Sequence, residues 1–176
     1  ERIRSGFIIT IIGRPNVGKS SLINYLSNKK VAIVTNEAGT TRDILEVSMD
    51  FDGFPVILND TAGIRDAESK VEKIGVEKAI EKAENSDLIL ILSDNEDFSY
   101  PDLKTTCRKI LVHTKSDLGR ISNKKVCNIS VKENVGIDKL IKLVVNHLNS
   151  LAPKDGVLLT RKRHMNSIKR SIDALN

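Results

Sequence analysis

The 176-residue chain has no tryptophan, and only 3% of its residues are aromatic. So few rings argue against readout of single-stranded RNA, which stacks bases on aromatic faces. Two cysteines, Cys107 and Cys127, are too few for a disulfide scaffold and read as ordinary buried or half-buried thiols. There is no long hydrophobic run. Segments such as Leu88 to Leu92 fall far short of the roughly 20 residues that cross a bilayer. No leader pattern precedes the first apolar run, and no membrane partner is expected. The chain opens at Glu1 without Met, which reads as a piece of a longer protein. It holds no repeat and no low-complexity tract.

What is there is a globular balance, 40% hydrophobic and 29% charged, which excludes disorder along the whole chain. The net charge of +5, from 28 basic and 23 acidic residues, reads as solvated lysines rather than a nucleic-acid footprint.

Apolar runs mark strands at Phe7 to Ile12, Asp87 to Leu92, Lys109 to His113 and Val126 to Ser130. Ile44 to Phe51 alternates as a strand, Asp52-Gly53 signals a hairpin turn, and Phe54 to Leu58 returns. Helical spacing covers Ser20 to Leu26, Val71 to Ala83 and Ile137 to Leu148. Ser93 to Thr106 is polar and irregular, with room for a short helix after Pro101. Strands alternating with helices predict an α/β fold, a mostly parallel six-stranded sheet with one antiparallel edge strand and helices on both faces. Pro153 and Gly156 mark a linker. The expected division is a domain over 1–151 and, over 152–176, the linker and a basic helix (Arg161, Lys162, Arg163) belonging to an adjoining helical domain. That helix start meets either solvent or RNA phosphates.

Gly13-Arg14-Pro15-Asn16-Val17-Gly18-Lys19-Ser20 fits G-x-x-x-x-G-K-[ST] between a strand and a helix, the context of a phosphate-binding loop. Its glycines let backbone N–H groups turn toward phosphate oxygens, and the helix N-terminus adds positive potential. Asn16, Val17, Gly18, Lys19, Ser20 and Ser21 are the expected phosphate contacts, with Lys19 reaching the β- and γ-phosphates and Ser20 holding Mg2+. Asp60-Thr61-Ala62-Gly63 follows a strand, where Asp60 reaches Mg2+ through water and the Gly63 N–H meets the γ-phosphate. Gly39-Thr40-Thr41-Arg42-Asp43 lies between. A hydroxyl there that ligates Mg2+ only while the γ-phosphate is present makes a switch. Spacing alone leaves Thr40 and Thr41 both open, and Thr41 is preferred.

His113-Thr114-Lys115-Ser116-Asp117 resembles the N-K-x-D guanine motif, with Thr114 in the Asn place. An Asp at position 117 accepts two hydrogen bonds that guanine offers and adenine does not. Ser130, Val131 and Lys132 are expected to line the base, completing a set with Thr114, Lys115 and Asp117. Thr114 lacks the paired donor and acceptor of an amide, which predicts weaker base binding. Ile64 follows the Asp-Thr-Ala-Gly run and has no polar atom to orient an attacking water. The water is then placed from elsewhere, with Arg65 and the acids of segment 65–72 as candidates, or hydrolysis is slow.

The runs AIVTNEAGTTRD (32–43), FDGFPVILNDTAGIR (51–65), VEKIGVEKAIEKAENSDLIL (71–90) and TRKRH (160–164) together resemble the G domain of the MnmE (TrmE) family of tRNA-modifying GTPases, over essentially the whole chain. The resemblance implies a Ras-like G domain of the P-loop NTPase class, and a cytoplasmic GTPase whose G domains form a homodimer in the GTP state with the help of K+. It implies a flavoprotein partner, MnmG, and a tRNA whose wobble uridine is modified at C5. It carries the K+ ligand onto Asn16 and the catalytic Glu onto Glu72, and matches Arg65 to a functional position. The family usually has Asn where Thr114 stands. Its folate-binding domain and most of its helical domain have no counterpart here. Two alternatives remain: a ribosome-assembly GTPase of the Der or Era kind, and a slowly hydrolysing GTP-dependent scaffold.

Overall fold

A computed structural model describes residues 6–28, 46–60, 80–100 and 102–152. Six strands run β1 (Phe7–Gly13), β2 (Glu46–Phe51), β3 (Phe54–Asp60), β4 (Leu88–Ser93), β5 (Arg108–His113) and β6 (Val126–Asn128). The helices are α1 (Lys19–Asn28) and α2 (Ile137–Leu151), and residues 80–84 are also helical.

The sheet order is β2-β3-β1-β4-β5-β6. Only the β2–β3 pair is antiparallel; β1 pairs in parallel with β3 and β4, and β5 with β4 and β6. This is the expected architecture. β1 and β4 are buried on both faces, so they read as unbroken apolar runs rather than alternations. The hairpin follows from Asp52-Gly53, both at positive φ (55° and 91°), as a tight turn between twisted strands demands. The Gly53 N–H donates to Asp50 Oδ1 at 2.6 Å and closes it.

The core divides by sheet face. On one face, Ile9, Ile11, Leu58, Leu90 and Val112 meet Leu22 and Leu26 of α1 and Leu140, Val144 and Leu148 of α2. On the other, Ile12, Ile89 and Ile91 meet Ala83 of the 80–84 helix and Leu103. Helices therefore cover both faces. A side chain such as Leu90 is worth about 1.5–3 kcal/mol when fully buried. α2 stops at Leu151 because Pro153 forces the residue before it toward extended backbone, and Ala152 is at φ −72°, ψ 139°.

Two local expectations change. No helix follows Pro101: residues 102–106 are irregular, since Leu103 is drawn into the second core and the Lys104 N–H donates to Glu84 Oε1 at 2.7 Å. The strand expected over 126–130 ends at Asn128, and Ser130 instead bridges to Val135. Of the strand expected over 44–51, Ile44 and Leu45 lie outside the described residues. Of the helix expected over 71–83, residues 71–79 lie outside the described residues, as does the linker and basic helix over 153–176.

Candidate nucleotide site

In a parallel sheet, ligands bind beyond the carboxyl ends of the strands, where successive connections part to opposite sides. Here β1 is that place, with β3 on one side and β4 on the other. Its carboxyl end turns through residues 14–18 into α1. Gly13 is required by close approach: a Cβ there would lie 2.6 Å from the Leu92 carbonyl of β4 and 2.9 Å from Val17. Gly18 is required by its φ of +97°, which turns the chain into the helix. Asn16, at φ 60°, stands exposed at the loop's tip, and Val17 is buried beneath it. The Lys19 ammonium donates to the carbonyls of Gly13 (2.9 Å) and Arg14 (3.0 Å), so it lies across the loop at the N-terminus of α1. Ser20 and Ser21 are exposed on the first turn. These residues form one cradle.

The second half of the site follows β5. Thr114 is 3% exposed, and its hydroxyl donates to the Val17 carbonyl at 2.7 Å, with the Ser93 carbonyl a further acceptor at 3.2 Å. It therefore ties the phosphate loop, the end of β4 and the 114–117 loop together. Thr114, the departure from the usual Asn, thus acts as a bonded strut between the two loops. Lys115, at φ 52°, pairs its ammonium with Asp94 at 2.7 Å. The Ser116 N–H donates to the Ile129 carbonyl at 3.0 Å, which fastens the loop to the chain leaving β6. Asp117 is exposed and accepts the Ser130 hydroxyl at 2.6 Å. That bond, its own backbone and the charge of Lys132 hold its carboxyl below the ordinary value of 3.8. Val131 packs partly against the core and Lys132 is exposed. The six expected base-site residues are therefore brought together, with Ser130 holding the carboxylate.

Sequence reasoning missed the loop after β4. Ser93 is buried, and its hydroxyl donates to Asn95 Oδ1 (2.9 Å) or the Asp97 carbonyl (2.7 Å). Asp97 ion-pairs with Arg14 of the phosphate loop, and Asp94 pairs with Lys115 of the base loop. The Lys115 bond comes first among the causes that lower the Asp94 pKa. One short loop thus grips both halves of the site. Its sequence signal is a run of short polar residues, Ser93-Asp94-Asn95-Glu96-Asp97, ending a fully apolar strand.

Asp60 ends β3 beside Ile11, two residues before Gly13. Its backbone is therefore at the carboxyl end of the sheet with Ser20. An Asp and a hydroxyl are hard oxygen donors of the kind Mg2+ takes. Gly39 to Asp43, Thr61 to Gly63, Arg65 and Glu72 lie outside the described residues. Among the described residues, no helix is long and apolar enough to cross a membrane.

Residues 8–132 match the family model of the 50S ribosome-binding GTPases. Along 99% of its length the chain is 43% identical to the tRNA modification GTPase MnmE of Chelativorans sp. (strain BNC1), covering 40% of that protein. It is equally identical, over 99% of the chain and 42% of the relative, to MnmE of Pelagibacter ubique. The chain thus spans about 40% of the length of these curated relatives. Among solved structures, a variant of Aquifex aeolicus Era bound to GDP and AlF4− superposes with a TM-score of 0.62 at 26% identity, covering 81% of this chain and 56% of that one. The G domain of the T. maritima FeoB iron transporter gives 0.60 at 21% identity, covering 81% and 98%, a likeness of fold.

Proposed function

The chain belongs to the family of 50S ribosome-binding GTPases, and from that premise we propose that it is the GTP-binding and GTP-hydrolysing unit of a tRNA-modification GTPase acting at C5 of the wobble uridine. The observation that carries the reading is the Thr114–Val17 bond, which holds a phosphate cradle and a guanine-type loop side by side in a chain similar to MnmE along its length.

In this reading the backbone N–H groups of Asn16 to Ser21, with the Lys19 ammonium, hold the β- and γ-phosphates and offset the charge that develops as the terminal phosphoryl leaves. Asp117 selects guanine over adenine because its carboxylate, held by Ser130, meets two donors only on guanine. Ser20, Thr41 and Asp60 would hold Mg2+, Asp60 through water, and the ion supplies charge neutralisation across the phosphates. Asn16, exposed at the loop tip, is the proposed K+ ligand. Glu72 and Arg65 are the proposed groups for water placement, since Ile64 has no polar atom for it. Pairing of two G domains, a flavoprotein partner (MnmG) and a cytoplasmic setting complete the proposal. The description of the family supports a second reading, a ribosome-assembly GTPase of the Era kind.

GTP hydrolysis by the purified chain, measured in K+ and in Na+ at several protein concentrations, tests the first reading. A K+-specific rate that rises with concentration and collapses in Asn16→Ala is the expected result. A slow rate indifferent to cation and concentration would overturn it and favour a GTP-dependent scaffold.

A further inference from the structure

Along the β6 edge of the sheet, a groove of about 420 Å3 opens between the first part of β5, the start of β6 and the first turns of α2. Its rim carries Arg108, Lys109, Lys124, Lys125 and Lys139, and among the described residues no acid lines it. Cys127 and Leu143 form part of its floor. Arg108, Lys124, Lys125 and Lys139 are exposed, and among the described residues none has an ion-pair partner. This differs from the nucleotide site, where Arg14 and Lys115 are both paired with acids. Lys139 and Cys127 both line the groove; burial raises the Cys127 thiol pKa, and the Lys139 charge pulls it back. Beside the rim, the Lys109 ammonium lies 5.7 Å from the centroid of the Tyr100 ring, which is 42% exposed.

We propose that this groove binds the phosphate backbone of tRNA, with Tyr100 available to stack an unpaired base. The choice of tRNA rests on the proposed function. Cations spread over three chain segments and left without counter-charges suit a run of phosphates rather than a single anion. Neutralising each phosphate releases a condensed counterion, which drives such binding and makes it salt-dependent. The exposed ring beside an ammonium is the pairing that accepts a base face without reading its edge. The groove lies on the β6 edge of the sheet, away from the phosphate cradle after β1, and shares no residue with it, so RNA and GTP occupy separate sites.

The test is binding of a fluorescent, unmodified tRNA transcript to the 176-residue chain across a salt series. The variant Lys124→Gln/Lys125→Gln/Lys139→Gln is compared with Lys82→Gln/Lys104→Gln/Lys142→Gln, which removes the same charge outside the groove. The groove variant is expected to bind about tenfold more weakly, with a log–log salt slope smaller by about two to three. The matched variant should change little. Tyr100→Ala should weaken binding without moving the slope. Equal loss in both triple variants, or no loss in the groove variant, would overturn the proposal. An equal-length ribosomal RNA fragment that binds the groove as tightly as tRNA would overturn the choice of tRNA. The groove variant should hydrolyse GTP at the wild-type rate. Failure of the functional reading appears in the K+ and concentration dependence of hydrolysis, so the two can fail separately.

Discussion

The carboxyl end and the β6 edge of the same sheet carry opposite treatments of charge. At the carboxyl end, one cation of the phosphate loop and one of the base loop are met by acids of one intervening loop: Arg14 by Asp97 and Lys115 by Asp94. At the β6 edge, Arg108, Lys124, Lys125 and Lys139 line a groove without an acid among the described residues. A site that must hold one small ligand in a fixed pose benefits from side chains already locked by partners. A surface that meets a long polyanion benefits from mobile, unneutralised ones. Within a single β5 strand, from Arg108 to His113, the chain passes from one regime to the other.

The most severe way to break the comparison is at the cradle. Lys19→Ala should lower the GTP hydrolysis rate by about 10^2- to 10^3-fold and leave tRNA affinity unchanged; a parallel loss of RNA binding would show that the two sites are not separate. Asp117→Asn should weaken GTP by about 10^2-fold or more, because a guanine donor then faces an amide N–H; competition between GTP and xanthosine triphosphate measures it, with the latter gaining. The groove variant should do the reverse of Lys19→Ala, weakening RNA about tenfold while sparing hydrolysis. Thr114→Val removes the hydroxyl buried between two carbonyls and should cost about 1–2 kcal/mol in urea unfolding, with Thr114→Ser retaining most of it. The smallest effect sharpens the paired side. Because Asp94 titrates below its ordinary 3.8, its pair with Lys115 stabilises the fold fully above that value and is lost as the pH falls through the lowered one. Wild type and Asp94→Asn should therefore differ slightly at pH 7 and converge in strong acid.

Much of this was legible beforehand because the signals are local. β1 and β4 are buried on both faces and show as apolar runs, the hairpin turns on Asp52-Gly53, and the phosphate loop is contiguous. What escaped was set by contacts distant in sequence. The irregular stretch after Pro101 depends on Glu84, 20 residues earlier, accepting the Lys104 N–H. The structural part Thr114 plays depends on a carbonyl 97 residues away, which the motif alone does not reveal. The groove draws its cations from residues 108–109, 124–125 and 139, no two clusters adjacent, and in the sequence they read as scattered solvated lysines. Ser130 was placed at the base, but its bond to Asp117 needs the short β6, which turns the chain back after Asn128.

The Thr114–Val17 bond also has a consequence for how a nucleotide would be captured. Two recognition elements fixed relative to one another act as a chelating pair. Once the phosphates are seated, the base sees its own pocket at an effective concentration far above its concentration in solution. Guanosine and pyrophosphate offered as separate molecules should each bind feebly, while the joined nucleotide binds with nearly the product of their affinities. Loosening the tether would erode that advantage without touching a single ligand contact.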